Sequence, residues 1–287
     1  MTSELGILDP GGKTGILLLH DLTGTVLDMR PMAQGFARAG YTVCTPRLSA
    51  HEGGAGWSSA TAIRQAGQAT IRLTAQCAEV IVVGAGYGAM LALEVARQNA
   101  AVVPAIVLLE PRTSVMPLCG CIAAAVAGLV PQTWLARLVA STQRAPLIPA
   151  RLSALSIAGD AAVVGGAATG SATQPVPGLT AAALTDLARL LDSAQAGLAS
   201  VTQPSLLFHG RTRRRGGGGS IVLQRRLAGR VESVMIDDAG LTGAHGHLVD
   251  SIVDRSARFV ATVLDENETM RGNEQRRQRL AGRSTAA

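Results

Sequence analysis

Short, continuous apolar runs alternate along the chain with segments of helical periodicity. The runs are residues 15–20 (GILLLH), 41–46 (YTVCTP), 79–84 (EVIVVG), 105–110 (AIVLLE), 204–210 (PSLLFHG) and 230–237 (RVESVMID). Strands that lack polar alternation are typical of a parallel sheet buried on both faces. Because amphipathic segments separate the runs, the pattern predicts an α/β fold, a mostly parallel sheet with helices on both faces.

The segments between the runs carry apolar residues at helical spacing. Met32 and Phe36 form the apolar face of the first predicted helix. Asp28 is expected to cap this helix and Gly40 to end it. Further helices are predicted over residues 57–75, 86–99 and 220–227. One face of a final helix is formed by Val249, Ile252, Phe259, Val260 and Val263.

Residues 111–200 interrupt this alternation with apolar, proline-punctuated segments and a run of small residues. The last part of the interruption regains helical spacing at Leu187, Leu190, Leu191, Ala194 and Leu198. We therefore expect a core formed by residues 1–110 and 201–266, with a helical cap inserted at 111–200. The polar, basic residues 267–287 are predicted to be a disordered tail.

The formal net charge is +6, concentrated in Arg211–Arg215 and in the C-terminal tail. Neither cluster has aromatic residues to stack on bases, so nucleic-acid binding is not expected. The four cysteines lack the spacing of a metal site or disulfide framework, and no metal or cofactor is expected. The beginning of the chain lacks a signal-peptide pattern, and the apolar run 116–130 is shorter than the roughly 20 residues of a membrane span. These features predict a cytoplasmic protein.

Two long stretches resemble the α/β-hydrolase superfamily, in its carboxylesterase and monoacylglycerol-lipase-like branch (serine aminopeptidase S33-like). The first is GILLLHDLTGTVLDMRPMAQGFARAGYTVCTPRLSAHEG, followed by VIVVGAGYGAMLALEVA. The second is VPGLTAAALTDLARLLDSAQAGLASVTQPSLLFHGR, which is similar to the last cap helix and the following strand. The resemblance spans roughly residues 14–264 and implies an α/β-hydrolase fold with a helical cap.

Ester hydrolysis on this fold uses a serine on a strand-to-helix turn, a histidine and an acid. The resemblance places these three roles at Gly86, Arg213 and Leu241, none of which has the required side chain. It also implies that the backbone N–H groups of Leu22 and Tyr87 hold the oxyanion. The resemblance thus predicts a degenerate catalytic triad.

Several nearby residues are fallback candidates. Glu110 ends a strand where some α/β-hydrolases place their acid, and His245 or His247 lies near the position expected for the base. None of the three supplies a nucleophile. Each residue type also has a common structural role, as a strand-end ion pair or a solvent-facing loop histidine.

The pocket beside the turn is expected to include His20, Asp21, Gly24 and Gly86. Asp21 replaces a glycine of the H-G-x-x-G pattern. Its carboxylate either lies near the oxyanion site, where it would repel a developing oxyanion, or bonds local backbone N–H groups as a turn residue.

Three functional hypotheses follow. The first is a non-catalytic homologue that binds an acyl or lipid-like ligand or a protein partner. The second is a divergent esterase, lipase or thioesterase in which His245 or His247 activates a water. The third is a scaffold protein that binds an acidic partner through Arg211–Arg215.

Overall fold

The computed structural model describes residues 7–21, 24–48, 58–113, 181–210, 218–236 and 247–284. Within them a seven-stranded sheet has the order β1-β3-β2-β4-β5-β6-β7. The strands are β1 (Ile7–Asp9), β2 (Thr14–Leu19), β3 (Thr42–Thr45), β4 (Glu79–Ala85), β5 (Ile106–Leu109), β6 (Ser205–Gly210) and β7 (Val231–Ile236). Strand β1 pairs antiparallel with β3, and all other pairings are parallel. The predicted α/β-hydrolase fold with a mostly parallel sheet is confirmed.

Helices cover both faces of the sheet. In the described part of the chain they are α1 (Arg30–Arg38), α2 (Ser59–Thr74), α3 (Gly88–Gln98), α4 (Ala181–Ala196), α5 (Gly218–Arg226) and α6 (His247–Ser284), with a short 3₁₀ helix at Leu198–Ser200. Helices α2, α3 and α4 pack on one face, and α1 and α6 pack on the other. None of the described helices is long and apolar enough to cross a membrane.

The central strands divide their side chains between two cores. Leu17 and Leu19 of β2 contact the α2–α3–α4 side, whereas Ile16 and Leu18 contact the α1–α6 side. All four side chains have no exposed surface. This double burial explains why the strands appear in the sequence as uninterrupted apolar runs rather than as alternating patterns.

The helix predicted from leucine spacing near residue 190 is present as α4. Leu187, Leu190, Leu191 and Ala194 are buried and contribute to the core beside α3. Residues 114–180, which make up most of the predicted cap insertion, lie outside the described residues. The domain boundaries therefore stay a prediction.

The C-terminal region differs from the predicted disordered tail, because α6 continues through residues 267–284. This segment contains no proline and is rich in Glu, Gln and Arg, which favour helix. Arg271 also anchors it, with Nη1 3.1 Å from Glu79 Oε1 on β4. High polarity was a poor indicator of disorder here, because residues 267–284 continue a helix whose first half is packed on the sheet.

Two smaller predictions also need correction. The three-residue edge strand β1 has no counterpart among the predicted strands. Asp28 does not cap α1, whose N-cap is Met29 without a side-chain hydrogen bond. Instead the Asp28 carboxylate accepts hydrogen bonds from the backbone N–H and hydroxyl of Thr25, within the preceding turn.

Candidate functional site

The turn between β4 and α3, residues 84–88, is called the elbow here. Gly86 at its crest has φ +58°, a left-handed conformation that favours glycine. Its N–H donates to the carbonyl oxygen of Leu109 on β5 (2.9 Å), which holds the crest at the carboxyl edge of the sheet. A Cβ atom at Gly88 would lie 2.5 Å from the carbonyl oxygens of both Leu19 and His20. Gly88 is therefore needed because two backbone segments pass very close together, whereas the conformation of Gly86 itself favours glycine.

Asp21 follows β2 and lies directly against the crest of the elbow. The backbone N–H of Tyr87 donates to Asp21 Oδ1 at 3.0 Å, and the Asp21 residue is only 4% exposed. A Cβ atom on Gly86 would lie 2.5 Å from Asp21 Oδ2 and 2.7 Å from Oδ1. The carboxylate thus fills the space that the first side-chain atoms of any other residue at position 86 would require.

Arg112 balances the buried charge of Asp21. Its Nη2 lies 3.7 Å from Asp21 Oδ2, and its Cζ lies 5.4 Å from the centroid of the Tyr87 ring. The backbone N–H of Arg112 donates to the carbonyl oxygen of Gly86 at 3.1 Å, which ties the arginine to the elbow. A buried carboxylate needs such a partner because desolvation of an isolated charge is costly.

Both ring nitrogens of His20 take part in backbone hydrogen bonds. Nδ1 lies 2.8 Å from the carbonyl oxygen of Asp21, and the Leu48 N–H donates to Nε2 at 3.3 Å. A carbonyl oxygen only accepts, so Nδ1 carries the proton and the ring is the neutral Nδ1–H tautomer. The Asp21 carbonyl also accepts from Gly24 N–H at 2.9 Å, closing a turn. His20 and Gly24 therefore hold the Asp21 loop in place.

A sequence profile of the Alpha/beta hydrolase family matches residues 16–262 of the chain. The chain belongs to this family. A stretch of 40 residues is 58% identical to a thermostable monoacylglycerol lipase from Bacillus sp. (strain H-257). That stretch is 14% of this chain and 16% of the lipase, so the match covers a small part of either protein.

Two solved structures show the same hydrolase fold over most of their length. A structure of the metagenome-derived lipolytic enzymes LipS and LipT has a TM-score of 0.67 and 19% identity, covering 89% of this chain and 96% of that one. The monoacylglycerol lipase of Paleococcus ferrophilus has a TM-score of 0.58 and 12% identity, covering 90% and 97%. The family profile confirms the α/β-hydrolase resemblance noted from the sequence, and these two structures share its fold.

Within this hydrolase fold, Glu110 lies beside the elbow at the end of β5. It has φ +44°, which is unusual for a residue other than glycine, and it is buried. Its N–H donates to the carbonyl oxygen of Phe208 on β6 at 2.9 Å. Glu110 and Asp21 are therefore two buried carboxylate residues at the same edge of the sheet.

Other candidates are not brought to the elbow by the described structure. His247 is the first residue of α6 and is exposed, rather than part of a loop. Leu22, Arg213, Leu241, His245 and the cluster Arg211–Arg215 lie outside the described residues. Their predicted roles stay predictions.

Arg112 was absent from the residues that the sequence suggested. Its signal in the sequence is weak, because it is a single arginine three residues after the end of β5 in a chain rich in arginine. Among the residues that the structure describes, no group of three or more His, Cys, Asp or Glu is arranged to hold a metal ion.

Proposed function

We propose that this protein is a non-catalytic member of the Alpha/beta hydrolase family that binds an acyl or lipid-like ligand. The observation that carries the proposal is the position of the Asp21 carboxylate. It lies over Gly86, in the space of a nucleophile's side chain, and accepts the Tyr87 N–H.

Both halves of acyl transfer are impeded by this arrangement. Gly86 has no hydroxyl group with which to attack a carbonyl carbon. The Tyr87 N–H, which the family resemblance assigns to the oxyanion, already donates to a carboxylate. Oxyanion stabilisation depends on donors aimed at the developing charge, and a carboxylate at that point repels it instead.

The ligand class is proposed from the relatives. The structurally similar proteins include lipolytic enzymes and a monoacylglycerol lipase, and the stretch of 40 residues matches another monoacylglycerol lipase. On this proposal, the sheet and helices that the chain shares with these enzymes still enclose an acyl chain, although Gly86 supplies no nucleophile. Binding without turnover is the activity that these features favour together.

The test combines turnover, covalent labelling and binding on the full-length protein. We expect no hydrolysis of p-nitrophenyl butyrate above the buffer rate, no fluorophosphonate label, and saturable displacement of a fluorescent fatty-acyl probe by monobutyrin or monoolein. Gly86→Ser serves as the matched control, and we expect it to stay inactive because Asp21 occupies the space of the new side chain. Turnover by the native protein, or an acyl adduct on its intact mass, would refute the proposal.

A second candidate function is a hydrolase in which a carboxylate activates water. The observation in its favour is the left-handed φ of buried Glu110, because residues held in strained conformations cluster at functional sites. This function requires turnover without any covalent intermediate. Loss of that turnover in Glu110→Gln, but not in His247→Ala, would support it and would assign the activity to the elbow edge.

A further inference from the structure

The two oxygen atoms of the Asp21 carboxylate face two different groups, one a hydrogen-bond donor and the other an ion-pair partner. Oδ1 accepts from the Tyr87 N–H at 3.0 Å, and Oδ2 lies 3.7 Å from Arg112 Nη2. The Asp21 side chain is 5% exposed and the Arg112 side chain 17%. We infer that the Tyr87 N–H and the Arg112 guanidinium form a carboxylate-binding site, the carboxylate clamp, which Asp21 fills as an internal ligand.

Both donors are positioned by contacts that do not involve Asp21. The Gly86 N–H donates to Leu109 O (2.9 Å) and the Arg112 N–H donates to Gly86 O (3.1 Å), so the elbow and Arg112 are joined through the backbone. The guanidinium also lies 5.4 Å from the centroid of the Tyr87 ring, within reach of a cation–π interaction. We therefore expect the clamp to keep its geometry when the carboxylate is removed.

Shortening Asp21 to glycine would take the acceptor from the Tyr87 N–H and the nearby negative charge from Arg112, and would leave a small space beside them. Removing the acceptor of a buried donor is costly, and removing the carboxylate beside a largely buried guanidinium takes away a favourable charge interaction. Both costs are relieved by a free carboxylate that places its two oxygens where those of Asp21 were. Guanidinium groups recognise the planar carboxylate particularly well.

The ligand class is a small monocarboxylate the size of the missing group. Formate and acetate match the space vacated by one carboxymethyl side chain, whereas pivalate carries the same charge on a branched carbon that is too wide. In the native protein the clamp is occupied, so external carboxylates gain nothing there. The inference concerns the same residues as the proposed function but does not depend on the absence of turnover, because its readout is thermal stability.

The experiment measures the melting temperature of full-length Asp21→Gly in sodium formate, acetate, pivalate and chloride at equal ionic strength. We expect formate and acetate to raise it by about 2–4 °C in a saturable manner, relative to chloride. Pivalate is expected to behave as chloride does. The native protein is expected to show no difference among the four salts.

The control variant Asp21→Gly/Arg112→Gln removes the positive charge of the clamp and should lose the formate and acetate shifts. Equal shifts in this double variant, or none in Asp21→Gly, would overturn the inference. If Asp21→Gly does not fold in chloride, it is refolded from urea in each salt, together with Asp21→Ala. Recovery in formate and acetate alone supports the clamp, and equal recovery or equal failure in all four salts rejects it.

Discussion

The carboxylate of Asp21 and the crest glycine, Gly86, occupy complementary space. A Cβ atom on Gly86 would lie 2.5 Å from Asp21 Oδ2, closer than non-bonded atoms approach. Position 86 can be other than glycine only if the Asp21 side chain moves. The two positions are 65 apart in the sequence, yet the residue at one restricts the residue at the other.

The first prediction is that Gly86→Ala and Asp21→Gly are energetically coupled. Alone, Gly86→Ala should destabilise the protein by roughly 2–4 kcal/mol, since it adds a left-handed alanine and a clash with the carboxylate. In the Asp21→Gly background only the backbone cost remains. Urea unfolding of the native protein, the two single variants and the double variant should give a favourable coupling of about 1–3 kcal/mol between the two substitutions. Strict additivity would contradict the observed contact.

Gly88 provides a matched control for this coupling, because a Cβ there would meet the backbone carbonyl oxygens of Leu19 and His20 rather than a side chain. Backbone in the central sheet cannot move aside as a side chain can. Gly88→Ala should therefore be at least as destabilising as Gly86→Ala, by roughly 3 kcal/mol or more. Its cost should be the same in the native and Asp21→Gly backgrounds.

The parts of this protein that could be predicted from sequence are those in which one local pattern dictates the structure. The run from Ile16 to Leu19 has to be a strand buried on both faces, because no alternation marks an exposed side. The glycine spacing of the elbow likewise indicates a backbone approach too close for side chains. Asp21 could be placed near the elbow, but two interpretations of its carboxylate stayed open. In the structure this carboxylate accepts a hydrogen bond from the Tyr87 N–H. The two residues are 66 apart in the sequence, so no local pattern could predict that contact.

Arg112 and the tail show two different limits of sequence reasoning. The direction of a long side chain after the end of β5 depends on tertiary packing, which periodicity does not report. The tail was predicted as disordered from its polarity, although it is rich in Glu, Gln and Arg, which favour helix, and it extends from a packed helix. Local composition is therefore a weak guide where a neighbouring element supplies nucleation.

The second prediction concerns the pH dependence of the Glu94–Arg97 ion pair on α3. Hydrogen bonds from Arg97, with Nη2 2.6 Å from Oε1, lower the pKa of Glu94 below its ordinary value, against the opposing effect of burial. A carboxyl group whose pKa is lower in the folded state stabilises the protein above its unfolded pKa. That stabilisation is lost as the pH falls through the folded pKa. Glu94→Gln should thus cost about 1 kcal/mol at pH 7, allowing for the partial exposure of Arg97, and nothing at strongly acidic pH.

The check is chemical denaturation of the native protein and Glu94→Gln between pH 7 and the lowest pH at which both fold. Arg38→Gln is the control variant, because both side chains of the Arg38–Asp250 ion pair are exposed. We expect Arg38→Gln to change stability by less than about 0.5 kcal/mol. The prediction would be wrong if the difference in unfolding free energy between the native protein and Glu94→Gln grew as the pH fell.

The third prediction is that the Cys44 thiol is protected from alkylation. Burial raises its pKa from the ordinary 9.0 to about 11, and the charge of Arg72 offsets only part of this effect. The thiolate is the reactive form, so at pH 8 its population should be about 100-fold below that of an ordinary cysteine. Iodoacetamide labelling followed by peptide mass spectrometry should find Cys44 unmodified in the folded protein and modified in urea. Labelling of folded Cys44 at the rate of the unfolded chain would show that the strand opens readily.

The fourth prediction is that the second half of α6 contributes much less to stability than the first half. Val260 and Val263 are buried, whereas residues 268–278 are all exposed, so the second half contributes little apolar contact to the core. A chain ending at Glu266 keeps the Arg230–Glu266 ion pair and loses Arg271–Glu79, whose arginine is largely exposed. We expect truncation to lower the free energy of unfolding by less than about 1 kcal/mol.

The same truncation should remove helical signal, because residues 267–284 are helical in the full-length protein. A synthetic peptide of residues 267–287 should show little helix in water, since a segment of this length must supply its own nucleus when detached. Circular dichroism at 222 nm of the full-length protein, the truncated protein and the peptide tests this directly. A truncated protein with unchanged total helical signal would mean that the tail is not helical when attached. A strongly helical peptide would mean that its helicity is intrinsic rather than propagated from the half of α6 that packs on the sheet.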